Sequence, residues 1–311
     1  LAFCAATYHD PPALSQQDIL ANQKRLAKVE LALKNNQQKI IILQKHIFLV
    51  LLSMVDSCRY GSVTKVTKGS LMDKIRLQDC YIDRHGPAYM TGTQALVRLL
   101  LEQARLDREQ GINSRGLVSG YPGSPLGGLD LELNRNLDLL EKDGVTFQPA
   151  INEELAATAI WGSQHIHLYD QPEIDGVFGL WYGKGPGLDR ALDAIRHANM
   201  GGVAKYGGMV LAVGDDATGK SSTLAYQSEQ TLIAAGVPFF YPRSIHDIIP
   251  MGLQAFALSR LAGCCVGIKI VVDTADASSI IDLDRIRPKI TANDESGSVH
   301  IGRHDPALVR E

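Results

Sequence analysis

The chain has 311 residues, of which 45% are hydrophobic and 21% charged, and its formal net charge is -3 at pH 7. This balance is typical of a soluble globular protein with one or two domains. The small negative charge argues against nucleic acid and against an anionic membrane surface as partners.

Membrane and export signals are weak in this sequence. The longest apolar run, residues 40–52, is too short to span a bilayer and contains Gln44, Lys45 and His46. It does not begin the chain, and no cleavage site of the signal-peptide kind follows it. The five cysteines are Cys4, Cys58, Cys80, Cys264 and Cys265. They form no C-x-x-C pair and their spacing is irregular, which argues against a disulfide framework and against zinc and iron–sulfur sites. We therefore predict a reducing, cytoplasmic location.

Three regions are distinguished by composition. Residues 1–70 are poor in glycine, with Gln, Lys and Asn between apolar residues near helical spacing. They predict a helical or disordered extension, which need not be native because Met72 opens a more regular region. A coiled coil or membrane-surface helix is the alternative, but the heptad pattern is not sustained. Residues 75–285 form the predicted domain, and the polar residues 286–311 a linker to further domains.

Helix and strand patterns alternate through the predicted domain. The predicted helices cover residues 91–110, 131–140, 153–168, 188–199, 223–235 and 245–261, the last with a kink at Pro250. The predicted strands cover residues 115–120, 145–147, 175–180, 208–213, 237–240 and 266–272. Apolar strands separated by helices predict a doubly wound parallel α/β sheet with helices on both faces. Ligands bind at the carboxyl ends of such strands, where glycine-rich turns follow at residues 120–128, 183–187 and 214–222.

Several segments carry chemistry at those ends. In residues 120–128, glycines and prolines allow close approach of a ligand and Ser124 offers a hydroxyl, although an ordinary strand-to-helix turn would also explain the pattern. Asn152 is placed to cap the helix that Glu153 and Glu154 open, and acidic residues are favoured there by the helix dipole alone. In residues 181–190, Lys184 and Arg190 flank a glycine-rich turn that could hold an anion or be simply solvated.

Residues 214–221 match the P-loop pattern G-x-x-x-x-G-K-[ST], and the apolar run 268–273 ends in an acid as a Walker B strand does. Lys220 would then hold phosphates. Against this interpretation, Asp215 and Asp216 place two negative charges in the loop whose amides should bind phosphate. A P-loop also normally follows an early strand. Because the motif matches in full despite these two features, a nucleotide-binding enzyme stays an alternative interpretation.

Seven segments together resemble the opening of the long fused indolepyruvate ferredoxin oxidoreductases. They are residues 89–98, 119–130, 152–164, 176–187, 214–216, 220–224 and 227–229, in the order found in that family. The resemblance covers about residues 75–285. The family usually has no glycine where Gly219 stands, so the resemblance implies that the P-loop pattern is accidental.

The resemblance implies the pyrimidine-binding domain of a thiamine diphosphate enzyme. Such an enzyme decarboxylates a 2-oxoacid, here an aryl pyruvate such as indolepyruvate, oxidatively to an acyl-CoA and passes the electrons through iron–sulfur clusters to ferredoxin. By motif position, Glu153 is the catalytic carboxylate at the pyrimidine ring nitrogen, and Glu154 is the second candidate. The remaining cofactor-binding candidates form a wall beside the thiazolium and substrate: Tyr121, Pro122, Gly123 and Ser124. Substrate or interdomain roles are implied for Lys184, Ser221 and Ser222.

The sequence also departs from a complete enzyme of that family. A diphosphate–metal motif of the G-D-G…N kind is absent, since Gly214, Asp215 and Asp216 are followed by no suitably spaced Asn. We therefore predict half of a cofactor site, with no metal ligand of its own and with Mg²⁺, diphosphate and iron–sulfur clusters held by missing diphosphate-binding and gamma-type domains. Self-association into a homo-oligomer is expected through the apolar docking surface. A catalytically silent interaction domain is the third alternative.

Overall fold

The computed structural model describes residues 78–288. The predicted extension 1–70 and the linker beyond residue 288 lie outside these residues. None of the helices in the described part is long and apolar enough to cross a membrane.

Helices and strands alternate along the described chain. The strands are β1 (Pro87–Thr91), β2 (Ser114–Gly120), β3 (Val145–Phe147), β4 (Gly176–Lys184), β5 (Met209–Asp215), β6 (Phe239–Phe240), β7 (Cys265–Val271) and β8 (Ser278–Asp282). The first five helices are α1 (Asp79–Ile82), α2 (Gly92–Glu109), α3 (Leu129–Arg135), α4 (Leu137–Lys142) and α5 (Glu153–Ser163). The others are α6 (Gly185–Arg190), α7 (Leu192–Gly201), α8 (Glu229–Ala234), α9 (Ile245–Ala262) and α10 (Val272–Ala275).

Six strands form one parallel sheet in the order β3-β2-β4-β5-β7-β6, which confirms the predicted doubly wound α/β class. The register places Gly120 opposite Tyr182, and Lys184 opposite Gly214. Asp215 lies opposite Val271 in β7. The carboxyl ends of β2, β4, β5 and β7 therefore share one edge. Outside this sheet, β1 pairs with β8 in an antiparallel ribbon that periodicity did not predict.

Both faces of the sheet are covered. Val210 and Ala212 of β5 belong to a core shared with α2 and α9, whereas Met209, Leu211 and Val213 belong to a second core shared with α5 and α7. Every residue of β5 is buried, and its sequence is therefore apolar without alternation from Met209 to Val213. This explains why β5 was the clearest strand in the sequence.

Helix ends differ from the periodic pattern. The predicted helix 131–140 is divided at Asn136, whose side-chain amide donates to the Glu132 carbonyl at 2.8 Å and so competes with helical hydrogen bonding. The predicted helix 153–168 ends at Ser163 and is followed by a 3₁₀ turn at Ile166–Leu168. The helix predicted at 188–199 becomes α6 and α7, which meet at Ala191. In contrast, α9 passes through Pro250 as one helix.

The largest difference lies between β5 and β6. The predicted helix 223–235 is reduced to α8, Glu229–Ala234, and residues 216–228 form an irregular loop. The predicted strand 237–240 is reduced to Phe239–Phe240. At the end of the described chain, Ile286 is buried and Arg287 pairs with Glu102 and Glu109 of α2, so residues 286 and 287 pack onto the domain.

Candidate functional site

The three glycine-rich segments, residues 120–128, 183–187 and 214–222, meet at the carboxyl edge of the sheet. A Cβ built on Gly214 would lie 2.9 Å from Cδ of Pro125, and one built on Gly123 would lie 2.9 Å from Cδ of Lys184. The loop after β2 therefore rests directly on the ends of β4 and β5. Its first residue is also tied to β4, because the amide of Tyr121 donates to the carbonyl of Tyr182 at 3.1 Å.

Glu153 stands at this edge as the first residue of α5. The helix begins there because the Asn152 side chain accepts a hydrogen bond from the Leu155 amide at 2.9 Å, as the capping prediction requires. Glu153 is 7% exposed, whereas Glu154 is exposed. The Trp181 indole donates to the Glu153 carbonyl at 2.9 Å and fixes the helix start against β4. Burial thus separates the two carboxylates that the sequence left as first and second candidates.

The Glu153 side chain lies against two glycines. A Cβ built on Gly187 would lie 2.5 Å from its Oε1, and one built on Gly183 would lie 3.4 Å from its Cγ. Within residues 78–288, no group donates a hydrogen bond to the carboxylate. Buried carboxylates normally accept several hydrogen bonds, so this one has acceptor capacity available to a ligand N–H.

Lys184 occupies the end of β4. The turn predicted over residues 181–190 is wrong, because β4 pairs with β5 through Lys184 and α6 begins at the next residue. The Lys184 side chain runs along Gly123 and is half-buried. Arg190, which the turn prediction placed beside it, is exposed at the end of α6.

The remaining wall candidates form the loop after β2. Ser124 and Gly123 are half-buried, whereas Tyr121 and Pro122 are exposed at the rim. Ser124 follows Gly123, the residue that the Lys184 stem contacts, in the same loop.

The loop after β5 does not have the geometry of a P-loop. Asp216 accepts hydrogen bonds from the amides of Lys220 at 2.9 Å, Ser221 at 2.7 Å and Ser222 at 3.0 Å. These amides, that of Ser221 foremost, lower the pKa of the Asp216 carboxyl below its ordinary value. The donors that a P-loop offers to phosphate are therefore occupied by a carboxylate, and the next helix begins only at Glu229.

The other residues of the nucleotide interpretation are also displaced. Lys220 is exposed, with Asp276 at 3.9 Å, and the Walker B candidate Asp273 is exposed on α10. Ser221 is exposed and Ser222 half-buried on the same loop, beside the end of β5. The nucleotide-binding alternative is thus wrong in its geometry.

A buried charge cluster lies behind this loop, and sequence reasoning missed it. Asp215 accepts from the amide and the hydroxyl of Ser228, each at 2.8 Å. Lys269 of β7 lies 3.2 Å from Asp215 and 2.5 Å from Glu229 of α8. Burial alone would raise the pKa of Glu229, but the Lys269 ammonium holds it below its ordinary value. The signal in the sequence was a lysine inside an apolar strand, because a buried lysine requires a counter-charge.

A further cleft of about 620 Å³ opens beyond the ends of β6 and β7. It is lined in part by Tyr241, Ser244, His246, Thr274 and Ser279. The Walker B candidate Asp273 also lines this cleft, whereas Glu153, Lys184 and the loop after β2 do not. Within residues 78–288, no group of three or more His, Cys, Asp or Glu side chains is arranged to hold a metal ion.

Similarity to known proteins is confined to solved structures. No family model matches the sequence, and no curated protein matches it. Among solved structures, the chain is similar to 2-oxoglutarate:ferredoxin oxidoreductase from Magnetococcus marinus with 2-oxoglutarate, coenzyme A and succinyl-CoA bound, at 16% sequence identity and a TM-score of 0.48. The alignment covers 66% of this chain and 32% of that chain, so this chain spans about a third of its neighbour's length.

Proposed function

We propose that this chain is the pyrimidine-binding part of a thiamine diphosphate-dependent 2-oxoacid:ferredoxin oxidoreductase of the indolepyruvate type. The observation that carries the proposal is Glu153, a buried carboxylate with unused acceptor capacity at the carboxyl edge of a parallel sheet. It stands where the motif resemblance expects the carboxylate that faces the pyrimidine ring. Its neighbour Glu154 is exposed.

The residues present fit the pyrimidine half of the cofactor. Glu153 would accept a hydrogen bond from the protonated ring nitrogen. Its side chain packs directly against Gly183 and Gly187, where a larger residue would collide with it. Tyr121, Pro122, Gly123 and Ser124 would form the wall beside the reacting carbon. When bound, thiamine diphosphate supplies a carbon nucleophile for the 2-oxo group and an electron sink for decarboxylation.

The other half of the site is assigned to further domains of the same enzyme. In this proposal they hold the diphosphate through Mg²⁺ and carry the iron–sulfur clusters, and ferredoxin and coenzyme A are the partners of the overall reaction. Exposed apolar side chains beside Glu153 support such a docking surface: Tyr121 is 41% exposed, Ile151 83% and Leu155 51%. An aryl pyruvate as substrate and a cytoplasmic location rest on the sequence resemblance and composition.

Calorimetric titration of thiamine diphosphate with Mg²⁺ tests the proposal. The titrated samples are this chain alone and a longer protein that includes the downstream domains, each with Glu153→Gln and Glu154→Gln variants. We expect tight binding only by the longer protein. Since a charge-assisted hydrogen bond is removed, Glu153→Gln should weaken binding about tenfold or more and abolish 2-oxoacid decarboxylation. Glu154→Gln is the matched control and should change affinity less than about twofold.

Two outcomes would contradict the proposal. One is full decarboxylation by the Glu153→Gln variant. The other is a longer protein that folds with its downstream domains docked and yet binds no thiamine diphosphate. That result would favour the catalytically silent interaction domain.

A further inference from the structure

We propose that Lys184 binds the carboxylate of the 2-oxoacid and so supplies part of the affinity for the substrate. This inference rests on the proposed function, because it assigns the substrate anion to a residue of that same site. Its motivation is an ammonium group at the centre of the edge for which the described chain provides no counter-ion.

The position of Lys184 follows from strand alternation. Trp181 and Gly183 face the core that α5 covers, and both contact Glu153. Tyr182 faces the opposite core, and by alternation Lys184 follows it to that side, where it meets Gly123. Glu153 and Lys184 therefore stand on opposite faces of the same strand end. A ligand lying across the end of β4 would meet a carboxylate on one side and an ammonium on the other.

The charge balance distinguishes Lys184 from the other cations of the domain. Buried basic side chains are paired elsewhere: Arg98 and Arg105 with Glu102, Arg260 with Asp107, and Lys269 with Asp215 and Glu229. Within residues 78–288, no carboxylate lies within 4 Å of the Lys184 ammonium, although the residue is half-buried. A partly desolvated ammonium without a counter-ion favours the binding of an anion.

The chemistry of this corner suits a small carboxylate. The lysine stem packs along Gly123, the residue that precedes Ser124 in the loop after β2. Ammonium and hydroxyl together offer several donors to one carboxylate group. A phosphate group of the cofactor would be attracted by the same charge, so the experiment must separate the two anions.

The test uses the protein that includes the downstream domains and compares Lys184→Met, Lys184→Arg and Lys205→Met. Lys205 is exposed and lies at the opposite edge of the sheet, before β5, and serves as the matched control. For Lys184→Met we expect KM for the 2-oxoacid to rise roughly 10- to 150-fold, as for the loss of a charged hydrogen bond, with the Kd of thiamine diphosphate changed less than about twofold. Lys184→Arg should recover most of the loss, and Lys205→Met should match the wild type.

A pair of inhibitors provides a readout that a merely structural role would not move. A saturated aryl-propanoate should lose affinity for Lys184→Met by the same factor as the substrate, whereas its amide should bind both proteins equally. An unchanged KM in an active Lys184→Met enzyme would overturn the inference and leave the proposed function standing. An equal loss of thiamine diphosphate affinity would assign the lysine to phosphate instead. Absence of cofactor binding and turnover in the wild type would overturn both proposals.

Discussion

Lys269 is 3% exposed and stands between two carboxylates at the ends of β5 and β7. One oxygen of Asp215 and one of Glu229 are buried without a hydrogen-bond partner in the described chain, so the lysine is their principal compensation. The cluster also holds the base of the loop 216–228, because Asp215 binds Ser228 and Glu229 follows it. A single residue thus links two strand ends, a helix and a loop of the candidate site.

Removal of this cation is expected to be costly. Lys269→Met should lower the free energy of unfolding by about 3 kcal/mol, because it leaves the buried carboxylate of Asp215 and the partly buried one of Glu229 without their counter-charge. Urea denaturation measures the change, with Lys205→Met as an exposed control expected within about 0.5 kcal/mol of the wild type. Equal effects of the two substitutions would contradict the assigned role.

The ion pair between Lys269 and Glu229 predicts that the free energy of unfolding depends on pH. The pKa of Glu229 is lower in the folded than in the unfolded chain. The contribution of Glu229 to stability is therefore complete above about pH 4.5 and is lost as pH falls through the lower folded pKa. Burial would lower the pKa of Lys269, but Glu229 and Asp215 raise it, so its contribution is lost only as pH rises beyond 10.5. The stability difference between wild type and Lys269→Met should therefore narrow at both extremes. A constant difference across the range would disprove the linkage.

At the scale of elements, the junction of β2 with its loop depends on one glycine. A Cβ on Gly120 would lie 2.2 Å from the backbone carbonyl of Tyr182, which is fixed within the sheet. A Cβ on Gly128, at the other end of the same loop, would have nothing within 4 Å. The close approach of β2 to β4 at the site therefore requires glycine at position 120 but not at position 128.

These two glycines form a matched pair for mutation. Gly120→Ala should lower the free energy of unfolding by about 1–3 kcal/mol, as overpacking against a rigid backbone does, and should displace the loop that carries Ser124. Gly128→Ala should stay within about 0.5 kcal/mol of the wild type. Urea denaturation of the chain measures both, and similar losses would show that the contact at Gly120 relaxes freely.

For the whole molecule, the exposed apolar residues around Glu153 predict association. Ile151→Asp combined with Leu155→Asp should abolish self-association in sedimentation velocity without a loss of thermal stability, because both side chains are largely exposed. Ile280→Asp, an exposed apolar position on β8, is the control and should associate like the wild type. A wild-type chain that is monomeric at all concentrations would refute the predicted homo-oligomer.

Much of the fold was predictable because local patterns reflect burial on both faces of the sheet. The six parallel strands correspond to apolar runs, and the glycine-rich segments that follow β2, β4 and β5 meet at one edge, although the segment after β4 is a helix start and not a turn. Helix ends were less predictable, since side chains such as Asn136 compete for the backbone. The ribbon of β1 and β8 was missed because its partners are almost 200 residues apart in the chain, as in the pair Pro87 and Asp282.

The sequence by itself determined the parallel α/β class, the edge at which a ligand site is predicted and the place of Glu153 at a helix start, because periodicity, glycine-rich segments and capping are local properties. Only the tertiary structure decided that Glu153 is buried and Glu154 exposed, that Asp216 occupies the amides of residues 220–222, and that Lys269 pairs with Asp215 and Glu229. Burial and charge pairing depend on the order of strands in the sheet, and that order brings together residues that no local pattern relates.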